Sequence, residues 1–149
     1  MKRACGILLP ISSLPSKYGI GCFSKEAYKW VDQLKDAGQS YWQILPLTPT
    51  SYGDSPYQSP SSFAGNPYFI DLEELIEEGL LTKKECDAIN WGGNSSYVDY
   101  EALSNHRLEV LKKAFEKEDL DNKEDYKKFV KENEILKSHY KTYNKENCP

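Results

Sequence analysis

A chain of 149 residues with 39 % hydrophobic and 13 % aromatic residues is long enough for one domain with a real core, and its composition is not that of a disordered segment. Its net charge of −4, with no basic stripe, argues against nucleic acid as a partner. No run approaches the roughly 20 apolar residues that cross a bilayer, and Met1-Lys2-Arg3 leads into too short an apolar run for a signal peptide; the expectation is a soluble cytoplasmic protein with reduced thiols and no membrane partner.

Cys5 to Leu9 is a short continuous apolar run, the pattern of a strand buried on both faces in a parallel sheet. Pro10 ends it, and Ser12, Ser13, Pro15, Ser16 and Gly19 mark a loop. Ser24 is placed to cap a helix in which Ala27, Trp30, Val31, Leu34 and Ala37 recur at helical spacing, and Gly38 closes it. Tyr41 to Leu47 is a second apolar run. Strand, helix and strand in such close succession form a βαβ unit, with parallel strands and a right-handed crossover.

Residues 48–69 break the pattern. A structureless loop of about 20 residues is long for a compact domain, and such loops are usually functional or disordered. Five aromatics, Tyr52, Tyr57, Phe63, Tyr68 and Phe69, favour an ordered, functional one. The loop starts at the C-terminal end of the second strand, where α/β barrels carry their substrate loops. It offers the hydroxyls of Ser51, Ser55, Ser59, Ser61 and Ser62, the carboxylate of Asp54, the amides of Gln58 and Asn66, and tyrosine rings. Aromatic faces with short polar groups suit a sugar ring and its hydroxyls. The same Ser, Asp and Asn side chains also bond their own backbone in ordinary loops, so the residues alone leave both uses open.

From Leu72 the pattern turns helical. Leu72, Leu75 and Ile76 form a short helix stopped by Gly79; Thr82 and Glu85 form a capping box for the next. Trp91-Gly92-Gly93-Asn94 is a turn. Leu103, Val110, Leu111, Ala114 and Phe115 share one face of a longer helix. Asp121 can cap a last helix carrying Tyr126, Phe129, Val130, Leu136 and Tyr140, and the Lys/Glu-rich stretch from Glu116 to Lys137 is a solvated face laced with ion pairs. Trp30 and Trp42 are packing residues on this pattern, and His106 sits on a solvated face. Cys5, Cys22, Cys86 and Cys148 include no C-x-x-C pair, so no metal site is expected. Two parallel strands do not make a stable sheet alone, and no third strong strand follows. The expectation is an incomplete α/β domain, or one completed by residues not in this chain.

Four blocks, in this order and spacing, resemble the opening of family 77 glucanotransferases, the amylomaltases and disproportionating enzymes. They are Gly6-Ile7-Leu8-Leu9-Pro10-Ile11-Ser12-Ser13-Leu14-Pro15, Tyr18-Gly19-Ile20-Gly21, Tyr41-Trp42-Gln43-Ile44-Leu45-Pro46-Leu47, and Tyr52-Gly53-Asp54-Ser55-Pro56-Tyr57-Gln58-Ser59, the last continuing through Asn66-Pro67-Tyr68, with a weaker echo at Val98-Asp99-Tyr100. The resemblance implies the first strands and helices of a (β/α)8 TIM barrel of the α-amylase clan in residues 1–75, with the substrate loop 48–69, followed by a helical insertion over 76–149, incomplete at its end. It implies transfer of α-1,4-glucan segments between maltooligosaccharides with retention, without metal or organic cofactor.

That chemistry needs a carboxylate nucleophile and a carboxylic acid/base about 5 Å apart. In the family these lie on later strands, and no position of this chain matches their motifs, so no catalytic residue is assigned and the chain alone is expected to be inactive. By resemblance, Tyr57 and Ser55 are the substrate contacts, near the non-reducing side of the cleavage point. Asp54 would hold the loop through backbone amides, and Tyr52 would lie on an outer glucan-binding surface. Three readings remain open: the opening of a glucanotransferase, an inactive maltooligosaccharide-binding piece, and a helical interaction module.

Overall fold

The two apolar runs meet as a parallel pair. β1 (Gly6–Leu8) lies beside β2 (Tyr41–Gln43), with Gly6 opposite Tyr41, Ile7 opposite Trp42 and Leu8 opposite Gln43. The computed structural model describes residues 3–51, 53–94 and 96–134. Both strands are shorter than the runs that carry them. The Leu9 N–H donates to the Gln43 carbonyl at 3.0 Å, and beyond it Pro46 has no N–H to offer a ladder. The expected burial on both faces is not found: Ile7, Leu8 and Tyr41 are exposed and only Trp42 is half-buried. Such burial requires a layer over each face. Among the described residues the tryptophan of β2 meets the helix that precedes it, with Trp30 edge-on to Trp42 at 6.5 Å between ring centres.

That helix, α1 (Lys25–Asp36), begins as its sequence directs. The Ser24 hydroxyl accepts from the Glu26 N–H at 3.2 Å, and Gly38 takes φ +70° just past the end. Ala27 and Leu34 are buried, whereas Val31, on the expected stripe, is exposed. The small core here comprises Ile11, Leu14 and Ala27 with Trp30, Trp42 and Leu47 around them, and it does not extend to Val31.

Between β1 and α1 the chain makes a 3-10 turn (Ile11–Ser13) and folds back, the Gly21 N–H donating to the Ser12 carbonyl at 3.1 Å. The approach is so close that a Cβ on Gly21 would stand 2.2 Å from the Ile11 carbonyl oxygen, so only glycine fits. The return places Tyr18 and Ile20 in the larger of two cores. There they meet Leu72 of α2 (Leu72–Glu77), Cys86 of α3 (Lys83–Asp87), and Leu103 and Val110 of α4 (Tyr100–Lys117). This core draws on residues from both sides of position 75.

The local signals of these helices are satisfied in place. Asp71 and Asp99 accept from Glu73 and Ala102 N–H groups, Gly79 takes φ +79° after α2, and Thr82 with Glu85 forms the full capping box. Residues 91–94 run as an irregular bend with Gly92 at φ +119°. On α4, Leu103, Val110 and Ala114 are buried, but Phe115 stays exposed and its place on the buried face is taken by Arg107, 1 % exposed. His106, expected in solvent, is half-buried. α5 (Glu124–Glu132) starts from Lys123, not Asp121, after a 3-10 turn over Leu120–Asn122. It buries no residue; Lys127 pairs with Glu124 at 3.0 Å, as a solvated face should. Leu136, Tyr140 and Cys148 lie outside the described residues.

Leu103 is fully enclosed at 0 % exposure, so Leu103→Ala is expected to cost about 2–5 kcal/mol, the transfer term plus the cavity left behind. A urea midpoint unmoved at unchanged m-value would contradict that placement. Among the described residues no helix is long and apolar enough to cross a membrane, and no three His, Cys, Asp or Glu side chains converge to hold a metal.

Candidate functional site

The chain leaves β2 and returns to it. The Asn66 N–H donates to the Leu47 carbonyl at 2.8 Å, closing residues 48–65 into a loop with touching ends. Asn66 is itself buried, and its side-chain oxygen accepts from the Tyr68 N–H at 2.9 Å. That bond starts a 3-10 turn over Pro67–Phe69, so the last three residues of the expected loop are ordered turn, with Tyr68 and Phe69 packed against the cores.

Inside the loop, Gly53 (φ +89°) and Asp54 (φ +55°) are consecutive left-handed residues, and the Asp54 N–H donates to the Ser51 carbonyl at 3.0 Å. Aspartate tolerates this conformation better than most residues, at a cost glycine does not incur. The turn delivers Ser55 and Tyr57 side by side. The Ser55 hydroxyl accepts from the Tyr57 N–H at 3.3 Å, and the Gln58 N–H donates to the Ser55 carbonyl at 3.1 Å. Ser59 and Ser61 behave likewise, accepting from the N–H groups of Ser61, Phe63 and Ala64. The serines therefore do support their own loop, as the plainer reading of their chemistry expected. The Tyr57 side chain takes no part in that work: the residue is 73 % exposed.

Asp54 is arranged differently from expectation. Among the described residues no backbone amide donates to its carboxylate. Its charge instead bears on two phenols, Tyr68 and Tyr100, which burial pushes above the usual tyrosine range and the Asp54 charge pushes further; the Ser12 hydroxyl beside Tyr100 works the other way. Tyr100 is the first residue of α4. Tyr52 lies outside the described residues. A small cavity of about 90 Å³ lies where the strand ends meet this loop, between Pro10, Ile11 and Ser12 after β1, Leu47 and Thr48 after β2, and Pro56.

A wider cleft of about 790 Å³ opens between the fold-back loop and residues 91–98, lined by Ser12, Ser13, Lys17, Trp91, Asn94 and Tyr97 among others. Its charges are already matched. Lys17 Nζ lies 2.7 Å from Asp87 Oδ1, to which the Tyr18 hydroxyl also donates at 3.2 Å, and the hydrogen bond from Lys17 holds the Asp87 carboxyl below its ordinary value.

Sequence reasoning missed Arg107. Its Nη1 donates to the Tyr18 carbonyl at 3.1 Å, and its Nη2 donates to the carbonyls of Tyr68 at 3.2 Å and Ile70 at 2.5 Å. Its guanidinium carbon lies 5.6 Å from the centre of the Trp91 ring, and burial pulls its pKa down from the usual arginine value. The signal was in the spacing: position 107 falls between Leu103 and Val110 on the apolar stripe of α4, where a charge has to find buried acceptors.

The model of the 4-alpha-glucanotransferase family matches residues 9–145. A 4-alpha-glucanotransferase of Clostridium butyricum is 52 % identical over 122 residues, covering 82 % of this chain and 25 % of the relative. One of Thermus thermophilus is 48 % identical over 115 residues, covering 77 % of this chain and 22 % of the relative. The structure of an amylomaltase from Streptococcus agalactiae in complex with acarbose superposes with a TM-score of 0.80 at 44 % identity, over 89 % of this chain and 27 % of that one. The chain thus spans about a quarter of the length of the curated relatives it matches.

Proposed function

The chain belongs to the 4-alpha-glucanotransferase family, and on that premise we propose that it forms the first βα units of an amylomaltase-type (β/α)8 barrel that transfers α-1,4-glucan segments between maltooligosaccharides with retention. The observation that carries this reading is the close likeness of the fold, at substantial identity, to an amylomaltase crystallised with acarbose. In this reading residues 1–75 are the first βα units of the barrel with the loop 48–69, and residues 76–149 belong to the insertion that follows, its described helices α3, α4 and α5 lying within 83–132. The catalytic nucleophile and acid/base are not assigned to any residue here.

Tyr57 is the sugar platform. Its ring is exposed, and its backbone is fixed by Ser55, so little order has to be imposed when a glucose ring lies against it. Ser55 accepts from the Tyr57 N–H through its oxygen and keeps its own proton for a glucose hydroxyl. Asp54 sets the turn that presents both, and a glucan-contact role is proposed for Tyr52 as well. A cytoplasmic location accords with Cys22 and Cys86, which are free thiols inside the core, the Cys22 thiol pushed up to about 12 by burial and therefore inert.

The test is disproportionation by the protein at its native length. Maltotriose should give glucose and maltopentaose in equal amounts, with no net gain of reducing ends. Hydrolysis to glucose and maltose, or no reaction, would overturn the reading.

A further inference from the structure

We propose that Arg107 is a positioning residue for glucan binding: by tying the carbonyls of Tyr68 and Ile70 to that of Tyr18, it fixes the loop bearing Ser55 and Tyr57 against the fold-back loop that follows β1. The inference rests on the glucanotransferase reading and adds to it a residue far from the loop in sequence and without sugar contact of its own.

The first ground is cost. Every other inward position of α4 that the core encloses, Leu103, Val110 and Ala114, is apolar. A charge enclosed among them is expensive, and a well-packed apolar residue of similar volume often serves stability as well or better. No carboxylate bridges the guanidinium among the described residues. Among the described residues its Nε finds no acceptor either, so the group is not fully satisfied as a structural element.

The second ground is what it joins. The three carbonyls belong to two irregular segments with no ladder between them: Tyr18 in the fold-back loop, and Tyr68 with Ile70 in the turn that ends the substrate loop. Irregular segments have few internal bonds to hold them, and a rigid planar fork with five donors is suited to pin several acceptors at once. Asn66, which closes the loop onto Leu47, lies two residues before Tyr68 and bonds its N–H. Displacing Tyr68 therefore displaces the loop closure. Two turns back along the same helix, the charge of Asp54 bears on the phenol of Tyr100, which burial already pushes above the usual tyrosine range.

The experiment uses the protein at its native length and two variants, R107M and R107K. Loss of positioning should raise KM for maltotriose about tenfold to a hundredfold in R107M while kcat changes by less than about threefold, because the variant lacks ordering of a binding loop and not a transition-state contact. R107K keeps the charge but not the fork and should fall between R107M and the parent. A lowered melting temperature with KM unchanged would mark Arg107 as structural only and overturn the proposal. So would a fall in kcat with KM constant. If R107M does not fold, R107K carries the same decision. If the parent transfers no glucan, the functional reading fails by itself, and amide hydrogen exchange decides: R107K should speed exchange at Asn66 and Phe69, and unchanged rates there would overturn the proposal.

Discussion

Incubated with maltotriose, the purified 149-residue chain is expected to release neither glucose nor longer oligosaccharides. Retaining transfer needs two carboxyl groups about 5 Å apart, one on each side of the glycosidic bond. Asp54 is the only acid of the loop after β2. Glu26, Asp32 and Asp36 ride on α1, while Asp71 is consumed as the cap of α2, with Glu73 and Glu74 in the turn behind it. An acid catalyst needs its pKa raised toward the working pH. Glu85 and Asp87 are both held down, Glu85 by the Thr82 side chain and Asp87 by Lys17. Preorganisation is missing as well. With Ile7, Leu8 and Tyr41 exposed, the strand pair lacks the cover that would hold reacting groups to within about 0.5 Å. Product separation after long incubation is the check, and glucose formed in proportion to the chain added would show the expectation wrong.

In the protein at its native length, Tyr57→Ala is expected to lower transfer between maltooligosaccharides by about ten- to a thousandfold, equivalent to about 1.5–4 kcal/mol of transition-state stabilisation. The range is that of one aromatic contact with a sugar ring, larger if the ring also orders its neighbour. Stability should be almost unaffected, because the side chain is 73 % exposed and its removal leaves no cavity. Equal kcat/KM for parent and variant, measured side by side, would remove Tyr57 from the site.

What could be read from the sequence was what is decided locally. Ser24, Thr82 with Glu85, Gly38 and Gly79 act through bonds and backbone angles within four residues, and each helix boundary they imply is observed within a residue or two. Strand pairing was also legible, because a βαβ pattern has few other solutions. The failures share a cause. Cover for Ile7 and Leu8, the exposure of Val31 and Phe115, and the burial of Arg107 depend on which element lies opposite, and periodicity cannot see that. The strand Tyr41–Leu47 was read too long for a different reason: an apolar run continues through Pro46, but a hydrogen-bond ladder does not. The Lys123 start of α5, in place of Asp121, reflects a 3-10 turn over Leu120–Asn122 that takes up the cap candidate itself. For the substrate loop, composition identified the residues but not their use. Ser55, Ser59 and Ser61 all bond backbone, and only geometry separates Tyr57, free in solvent, from Tyr68, held against the core.

The bond between Asn66 and Leu47 makes the loop an interchangeable part. A segment whose ends already touch transmits no change in its length to the strand before it or the helix after it. The entropic penalty of a longer loop grows only logarithmically, about 0.6 kcal/mol for each doubling. Grafting a longer or shorter segment between Leu47 and Asn66 is therefore expected to leave both cores as they are.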